Sequence, residues 1–247
     1  MNRPFWLYII LFIVAQMAGV VPALLVQFHL LSPASVFVKT PVILCIVNLL
    51  AIGLCLLFRP RLCTVRDTMA GFRRPALRPT VLMVLLAPPS IFLVSWLQEM
   101  LPALPDLVPE QSVDQLLNTP LGLLTVCLIG PLAEEMIFRA GVLGSLLRSM
   151  SPLVAIVLSA SFFAIIHGNP AQMPAAFWLG LLLGWAFYST QSLAAPLAIH
   201  IFNNSLAAVF PDTAITDFLT TPLHHIVFLI VTLSWIVLLY RKIMSPT

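Results

Sequence analysis

Long apolar runs, separated by short polar or proline-containing segments, dominate this sequence. Runs of about 20 residues, the length that a helix needs to cross a bilayer, lie near residues 5–29, 36–58, 80–99, 120–148, 152–170, 174–191, 193–210 and 222–241. The runs are continuous and do not alternate apolar with polar residues as barrel strands do. Because backbone groups in lipid must be hydrogen-bonded within their own segment, we predict an all-α polytopic bundle of about eight spans.

The runs between residues 152 and 210 are crowded, so seven spans or a re-entrant segment are alternatives in that region. The prolines and glycines lie at the ends of runs and do not form a linker, and no internal repeat is present. We therefore predict a single integral membrane domain over residues 1–247.

Composition agrees with a chain that has lipid as its main solvent, since 60% of the residues are hydrophobic and 9% are charged. The net charge of +3 is small, and the cations form no stripe that would suit DNA or RNA. We expect membrane lipid as a partner and no nucleic acid. The sequence predicts no oligomeric state.

The placement of the cations predicts the orientation in the membrane. Six arginines lie from Arg59 to Arg78, both included, on the same side as Arg3, Arg148 and the last residues of the final run, whereas the opposite loops are mainly acidic. By the positive-inside rule both termini are cytoplasmic, and the short loops suggest a bacterial inner membrane. Alternatively, residues 59–79 form a surface helix that binds anionic lipid.

Three charged residues interrupt the fourth apolar run, in the sequence GPLAEEMIFRAG. Charges inside a bilayer are costly and usually mark a function or a pairing between helices. Glu135 and Arg139 are four residues apart and can pair on one helix face. Glu134 is rotated by about 100° from Glu135 and faces another direction. Such a carboxylate could serve in proton relay, helix packing or catalysis.

Two later runs add further polar residues. Phe163 and His167 are four apart in FFAIIHGN, and His200 and Asn204 are four apart in HIFNN, so each pair shares a helix face. Either histidine alone would be interpreted as a packing or interface residue. Together with Glu134, they supply what is needed to activate water and to stabilise an oxyanion in a site of low dielectric.

These three motifs, in this order, resemble the CAAX prenyl endopeptidase and bacteriocin-processing family, also called the Abi family. That family carries E-E-x-x-x-R, then F-x-x-x-H, then H-x-x-x-N on successive core helices, and this chain departs from none of them. The resemblance covers residues 120–210, which would be the catalytic core helices, and says little about the first hundred residues.

The resemblance implies a membrane-embedded endopeptidase that cleaves a membrane-associated or lipophilic, for example prenylated, peptide or protein substrate. Glu134 and His167 would activate the hydrolytic water, and His200 with Asn204 would hold the oxyanion. Glu135, Arg139 and Phe163 would support the site.

Whether a metal takes part is open at this point. Glu134, His167 and His200 could bind zinc as an open catalytic site, but an amide is a poor zinc ligand, and we favour metal-independent activation of water. H-E-x-x-H and G-x-S-G, the motifs of other intramembrane peptidases, are absent from the sequence.

Two other functions remain alternatives. A protein of the same fold could act without catalysis in bacteriocin immunity or as a membrane scaffold. A proton-coupled transporter could use Glu134 as a relay, but the chain lacks the repeated halves that are typical of transporters.

Overall fold

The computed structural model describes residues 5–27, 33–62, 77–99, 103–106, 116–209 and 222–244. Within these ranges the regular secondary structure is helical and forms eight helices. We name them α1 (Trp6–Gln27), α2 (Pro33–Leu62), α3 (Leu77–Glu99), α4 (Pro120–Leu146), α5 (Pro152–Ile166), α6 (Met173–Thr190), α7 (Ala194–Val209) and α8 (Pro222–Met244).

The predicted all-α fold is confirmed, and the eight helices of the described residues are roughly consistent with the prediction of about eight spans. By length and composition, α2, α3 and α4 each contain a stretch that is long and apolar enough to cross a membrane, at Thr40–Leu57, Thr80–Gln98 and Pro120–Leu146. Four other helices carry shorter apolar stretches, Trp6–Met17, Pro152–Ile166, Ala194–Val209 and Leu223–Trp235. The arginines at positions 66, 73 and 74, and the acidic residues at 110, 114, 212 and 217, lie outside the described residues, so the predicted orientation stays a prediction.

The chain divides into two compact units, residues 1–72 with 108–155, and residues 73–107 with 156–247. In the first unit α1, α2 and α4 pack on one another. Helix α2 buries Val47, Ala51 and Cys55, which are four residues apart and form one stripe. The opposite face of α2 exposes Ile46 and Leu57 and is apolar as well. A helix that is apolar on both faces suits a lipid environment.

Helix α4 is irregular, because it contains two π-helical segments, Thr125–Ile129 and Met136–Leu143. Nearly all of Met136–Leu143 is buried. Gly141 faces the ring of Tyr8 in α1, and a Cβ at this position would lie 2.4 Å from Tyr8 Cδ1. A glycine is therefore needed at this contact if α1 and α4 are to approach so closely.

In the second unit α3 packs against α6, α7 and α8. The core of this unit consists of small and aliphatic side chains of three helices: Met83 and Ala87 of α3, Leu179, Leu183 and Ala186 of α6, and Ile199 of α7. Helix α3 continues through Pro88 and Pro89. Prolines are tolerated in membrane helices when neighbouring groups satisfy the backbone, and the Ser90 hydroxyl donates a hydrogen bond to Ala87 O over 2.8 Å.

Helices α5 and α6 approach each other closely at Gly180. A Cβ on Gly180 would lie 3.0 Å from Ala160 Cα and 3.3 Å from Phe163 Cδ1. Small residues at such crossings let helix backbones meet in membranes, so Gly180 serves the packing of these two helices. The crossing also fixes one side of the Phe163 ring.

Candidate active site

The first unit contributes an ion pair in α4. Arg139 Nε lies 3.1 Å from Glu135 Oε2, and each side chain is only 1% exposed. This is the pairing over four residues that the sequence predicts. Charges buried so completely are stabilised by each other, since either one alone would carry a large desolvation penalty. The pair anchors α4 at the residue that follows Glu134.

Glu134 lies in the α-helical segment Gly130–Glu135, between the two π-helical segments of α4. It is half-buried, whereas Glu135 is buried. The two adjacent carboxylates therefore differ in environment as well as in direction. π-Helical turns are common at functional sites, because they shift the register of the side chains after them.

In the second unit His167 lies just past the end of α5. The helix ends at Ile166 because Gly168 adopts a positive φ of 66°, a left-handed conformation that commonly terminates helices. The predicted helical run extended to residue 170 and was too long at this end. The final turn tightens, with His167 N bonded to Ala164 O and Gly168 N bonded to Ile165 O. His167 is exposed as a result.

The ring of His167 has a defined orientation. Its Nδ1 lies 2.6 Å from Phe163 O, and because a carbonyl only accepts hydrogen bonds, Nδ1 carries the proton. In a neutral imidazole Nε2 is then the basic nitrogen. The ring also contacts the Phe163 ring edge-on, with centroids 4.8 Å apart. Both contacts orient the ring, and the hydrogen bond leaves Nε2 as the acceptor nitrogen.

Phe163 also contacts His200, which is 2% exposed on α7. The two ring centroids are 5.8 Å apart and the rings are nearly perpendicular. Phe163 therefore touches both histidines, and the three rings form one cluster within the second unit. The spacing of each motif in the sequence predicted a shared face within a helix, and the cluster joins the faces of two helices.

Asn204 lies one turn after His200 on α7 and is half-buried. Its Oδ1 accepts a hydrogen bond from Asn203 Nδ2 over 3.2 Å. This contact orients the Asn204 amide, because its Oδ1 is bonded to Asn203 and its Nδ2 is left to donate to other groups.

The structure therefore brings Glu135 and Arg139 together in the first unit, and Phe163, His167 and His200 together in the second. The approach of Glu134 to the two imidazoles stays a prediction. In neither unit do the described residues gather three or more His, Cys, Asp or Glu side chains into a group that could hold a metal ion.

Sequence reasoning missed the residues that hold the turn after His167. Asn169 is 1% exposed and donates from Nδ2 to Asp106 Oδ1 over 2.9 Å. Gln98 Nε2 donates to Ala171 O over 2.6 Å. These bonds join positions that are 63 and 73 residues apart, so they could not be predicted from spacing within one helix.

The fold and the motif residues define a class of protein. Residues 116–206 match the family model described as type II CAAX prenyl endopeptidase Rce1-like. All the motif residues from Glu134 to Asn204 lie inside this segment. The resemblance that the motifs predict is confirmed over this segment, which is similar to the CAAX-protease family.

Two curated relatives are each similar to a part of the chain. The chain is 31% identical over 97 residues to the membrane-embedded CAAX protease MroQ of Staphylococcus aureus (strain USA300), which is 37% of this chain and 39% of MroQ. It is 21% identical over 110 residues to YdiL of Bacillus subtilis (strain 168), provisionally named a membrane peptidase, covering 44% of this chain and 45% of YdiL. The matches thus span less than half of each relative. No solved structure is a significant match.

Proposed function

We propose that this chain is an intramembrane endopeptidase that hydrolyses a peptide bond of a membrane-associated or lipophilic substrate. The observation that carries the proposal is the cluster of Phe163, His167 and His200, which presents one oriented imidazole beside a second, buried one. The match to the Rce1-like family and the names of the two relatives support the same class of reaction.

In the proposed reaction Glu134 and His167 activate a water molecule. The water oxygen attacks the carbonyl carbon of the scissile bond, and its proton passes to this pair. Support for the role of His167 comes from its hydrogen bond to Phe163 O, which directs Nδ1–H to the carbonyl and makes Nε2 the acceptor nitrogen. The same proton later goes to the leaving amine when the C–N bond breaks.

His200 and Asn204 hold the oxyanion of the tetrahedral intermediate in this proposal. Both are donors to the developing charge, His200 through a ring N–H and Asn204 through Nδ2. Donors placed before the reaction starts stabilise such a charge most effectively in a site that excludes bulk water. The burial of His200 and the bond from Asn203 to Asn204 Oδ1 support this assignment.

Glu135 and Arg139 keep Glu134 at its place on α4, in the proposed mechanism, without taking part in proton transfer. Their own charges are largely compensated by the ion pair of 3.1 Å. Phe163 keeps the two imidazoles apart and oriented.

The central test is complementation of a deletion strain, combined with mass spectrometry of membrane and released peptides. We expect wild type to restore cleavage products that Glu134→Gln and His167→Ala fail to restore, since loss of a general base costs about 10²- to 10⁴-fold in rate. His224→Ala, a histidine of α8 outside the motifs, is the matched control and should restore them.

If both variants restored the wild-type peptide pattern, the endopeptidase proposal would be wrong, and the non-catalytic immunity or scaffold role would be preferred.

Once mass spectrometry has identified a cleavage site, a second assay measures kcat and KM of the purified protein in liposomes. Its substrate is a fluorogenic peptide that contains that site. This second assay separates the protein's own activity from that of other proteases in the cell.

We propose that the water is activated without a metal, because the oxyanion pair includes an amide and amides are poor zinc ligands. A zinc enzyme of this kind would hold one zinc ion in its site. We expect active, purified protein to contain less than about 0.1 zinc per chain. One tightly held zinc per chain, lost in His167→Ala, would contradict the proposal and assign Glu134, His167 and His200 as ligands.

We also propose a bacterial cell membrane as the location, with residues 59–79 and both termini on the cytoplasmic side. The arginines of this segment support that orientation. Peptide leaders, peptide pheromones and lipidated tails are all chemically suitable substrates, and the complementation experiment distinguishes them.

A further inference from the structure

The turn that carries His167 lies between α5 and α6 and is held from outside by two side chains of the second unit. Its backbone begins with the left-handed Gly168 and ends where Asn169 O accepts hydrogen bonds from Gln172 N and Met173 N. Asn169 therefore lies in the middle of the turn that joins the two helices. Its side chain donates to Asp106, which belongs to the segment 103–106 that lies after α3 in the chain.

A second contact holds the same turn two residues later, where Gln98 of α3 donates to Ala171 O. Asn169 is almost fully buried and its acceptor is a carboxylate. A hydrogen bond to a charged acceptor is stronger than one between neutral groups. The two bonds therefore tie the turn to α3 and to segment 103–106 at independent points.

These contacts matter for His167 because this residue lacks the support of a continuing helix. Helix ends fray, and the neighbouring glycine has more conformational freedom than any other residue. The ring of His167 is oriented by Phe163, but the position of its Cα depends on the residues after it in the chain. Asn169 is the first residue after His167 whose side chain is bonded to another part of the second unit.

We propose that Asn169 is a positioning residue for His167, acting through its hydrogen bond to Asp106, with Gln98 as a second support. This rests on the proposed peptidase function. It adds to that function a hydrogen-bonded clamp, defined as Asn169 with Asp106 and Gln98 with Ala171 O. The clamp sets where the water-activating imidazole stands relative to the oxyanion donors of α7.

The test exchanges donor and acceptor within the clamp. Asn169→Asp places a second carboxylate against Asp106, and Asp106→Asn in the same chain restores one donor and one acceptor with reversed direction. We expect kcat to fall about 10- to 100-fold in Asn169→Asp and in Asn169→Ala, the size of effect that a small misplacement of a catalytic group causes. KM should stay within about twofold, and the double variant should recover most of kcat.

The substrate in this assay is the fluorogenic peptide identified by complementation, with the full chain in liposomes. Hydrogen–deuterium exchange of the peptide around residues 163–173 is measured on the same variants. Exchange should become faster in Asn169→Ala and return towards wild type in the double variant. Gln191→Asn is the matched control, because Gln191 lies in the turn between α6 and α7 and its side chain donates to the nearby Tyr188 O.

The outcomes separate this inference from the proposed function. If His167→Ala cleaves like wild type, the peptidase assignment itself fails. If His167→Ala is inactive but Asn169→Ala keeps wild-type kcat, only the clamp is refuted. A purely structural role for Asn169 would lower the amount of folded protein and would not give recovery of kcat by exchange of the donor and acceptor, so absence of that recovery also overturns the proposal.

Discussion

At the scale of single residues, the best-defined feature of α4 is the buried pair of Glu135 and Arg139. Both side chains are only 1% exposed, so each charge depends on the other for stabilisation. A buried pair of this kind contributes little compared with a well-packed apolar pair, but removing one partner is expensive. The two members should therefore behave as a unit.

We predict strongly non-additive effects in a double-mutant cycle of this pair. Glu135→Gln and Arg139→Met should each lower the free energy of unfolding by about 3–5 kcal/mol, because each leaves a buried charge without its partner. The double variant should lose clearly less than the sum of the two. Unfolding in detergent micelles, monitored by intrinsic tryptophan fluorescence, provides the measurement.

Ser161→Ala is a suitable control for that cycle, because the Ser161 hydroxyl bonds to Val157 O within its own helix and its loss should change stability by less than about 0.5 kcal/mol. Additive losses in the Glu135 and Arg139 variants would show that the two charges are stabilised by different groups.

Residue contacts differ in how visible they are in the sequence. The pairs of Glu135 with Arg139 and of Phe163 with His167 were predictable, since a spacing of four places both members on one helix face. The bond between Asn169 and Asp106 was not, because it joins distant positions through the packing of α3 beside the α5–α6 turn. Contact between Phe163 and His200 likewise depends on the packing of separate helices.

At the scale of elements, the apolar runs predicted the helices well, as for α3 and α8, because run length is set directly by the lipid solvent. The predicted run 222–241 is observed as Pro222–Met244. The end of α5 was misplaced, although Gly168 and Pro170 are the usual stop signals of a helix. The predicted end followed the length of the apolar run and not these two residues.

The π-helical segments of α4 could not be predicted from the pattern. A π-helix has more residues per turn than an α-helix, which has about 3.6. The sequence can show this change only where the helix has one polar and one apolar face, because the spacing of the apolar residues then reports the number of residues per turn. Met136–Leu143 is buried on almost every side, so its sequence carries no such contrast. The close contact of Gly141 with Tyr8 is a consequence of that burial and was hidden for the same reason.

At the scale of the whole molecule, composition and the three motifs were enough to predict a polytopic helical protein with a CAAX-protease-like core. The family match confirms the resemblance for residues 116–206, and the helices of the described residues confirm the all-α fold. Residues before this segment contribute α1 and α2 to the first unit and α3 to the second. How α1, α2 and α3 pack within these units could not be predicted from the motifs, because it depends on contacts between residues far apart in the sequence.

The orientation of the chain in the membrane is the prediction that belongs to this scale. Cys63 lies in the arginine-rich stretch of the sequence, outside the described residues, whereas Leu104 is exposed in the segment after α3. By the positive-inside rule the two positions face opposite sides. A membrane-impermeant maleimide should label Cys63 in lysed but not in intact spheroplasts, and should label Leu104→Cys, in a Cys63→Ser chain, in intact spheroplasts.

The arginines themselves provide the matched control for orientation. Replacing the six arginines from Arg59 to Arg78 with lysine should keep the labelling pattern, since Lys and Arg act alike in setting topology. Replacing them with glutamine removes the charges and should produce a mixture of orientations. Labelling of Cys63 in intact spheroplasts of the wild-type chain would reverse the proposed orientation. The segment 103–106, with Asp106 of the clamp, would then face the cytoplasm, and substrates would have to be sought among cytoplasmic peptides.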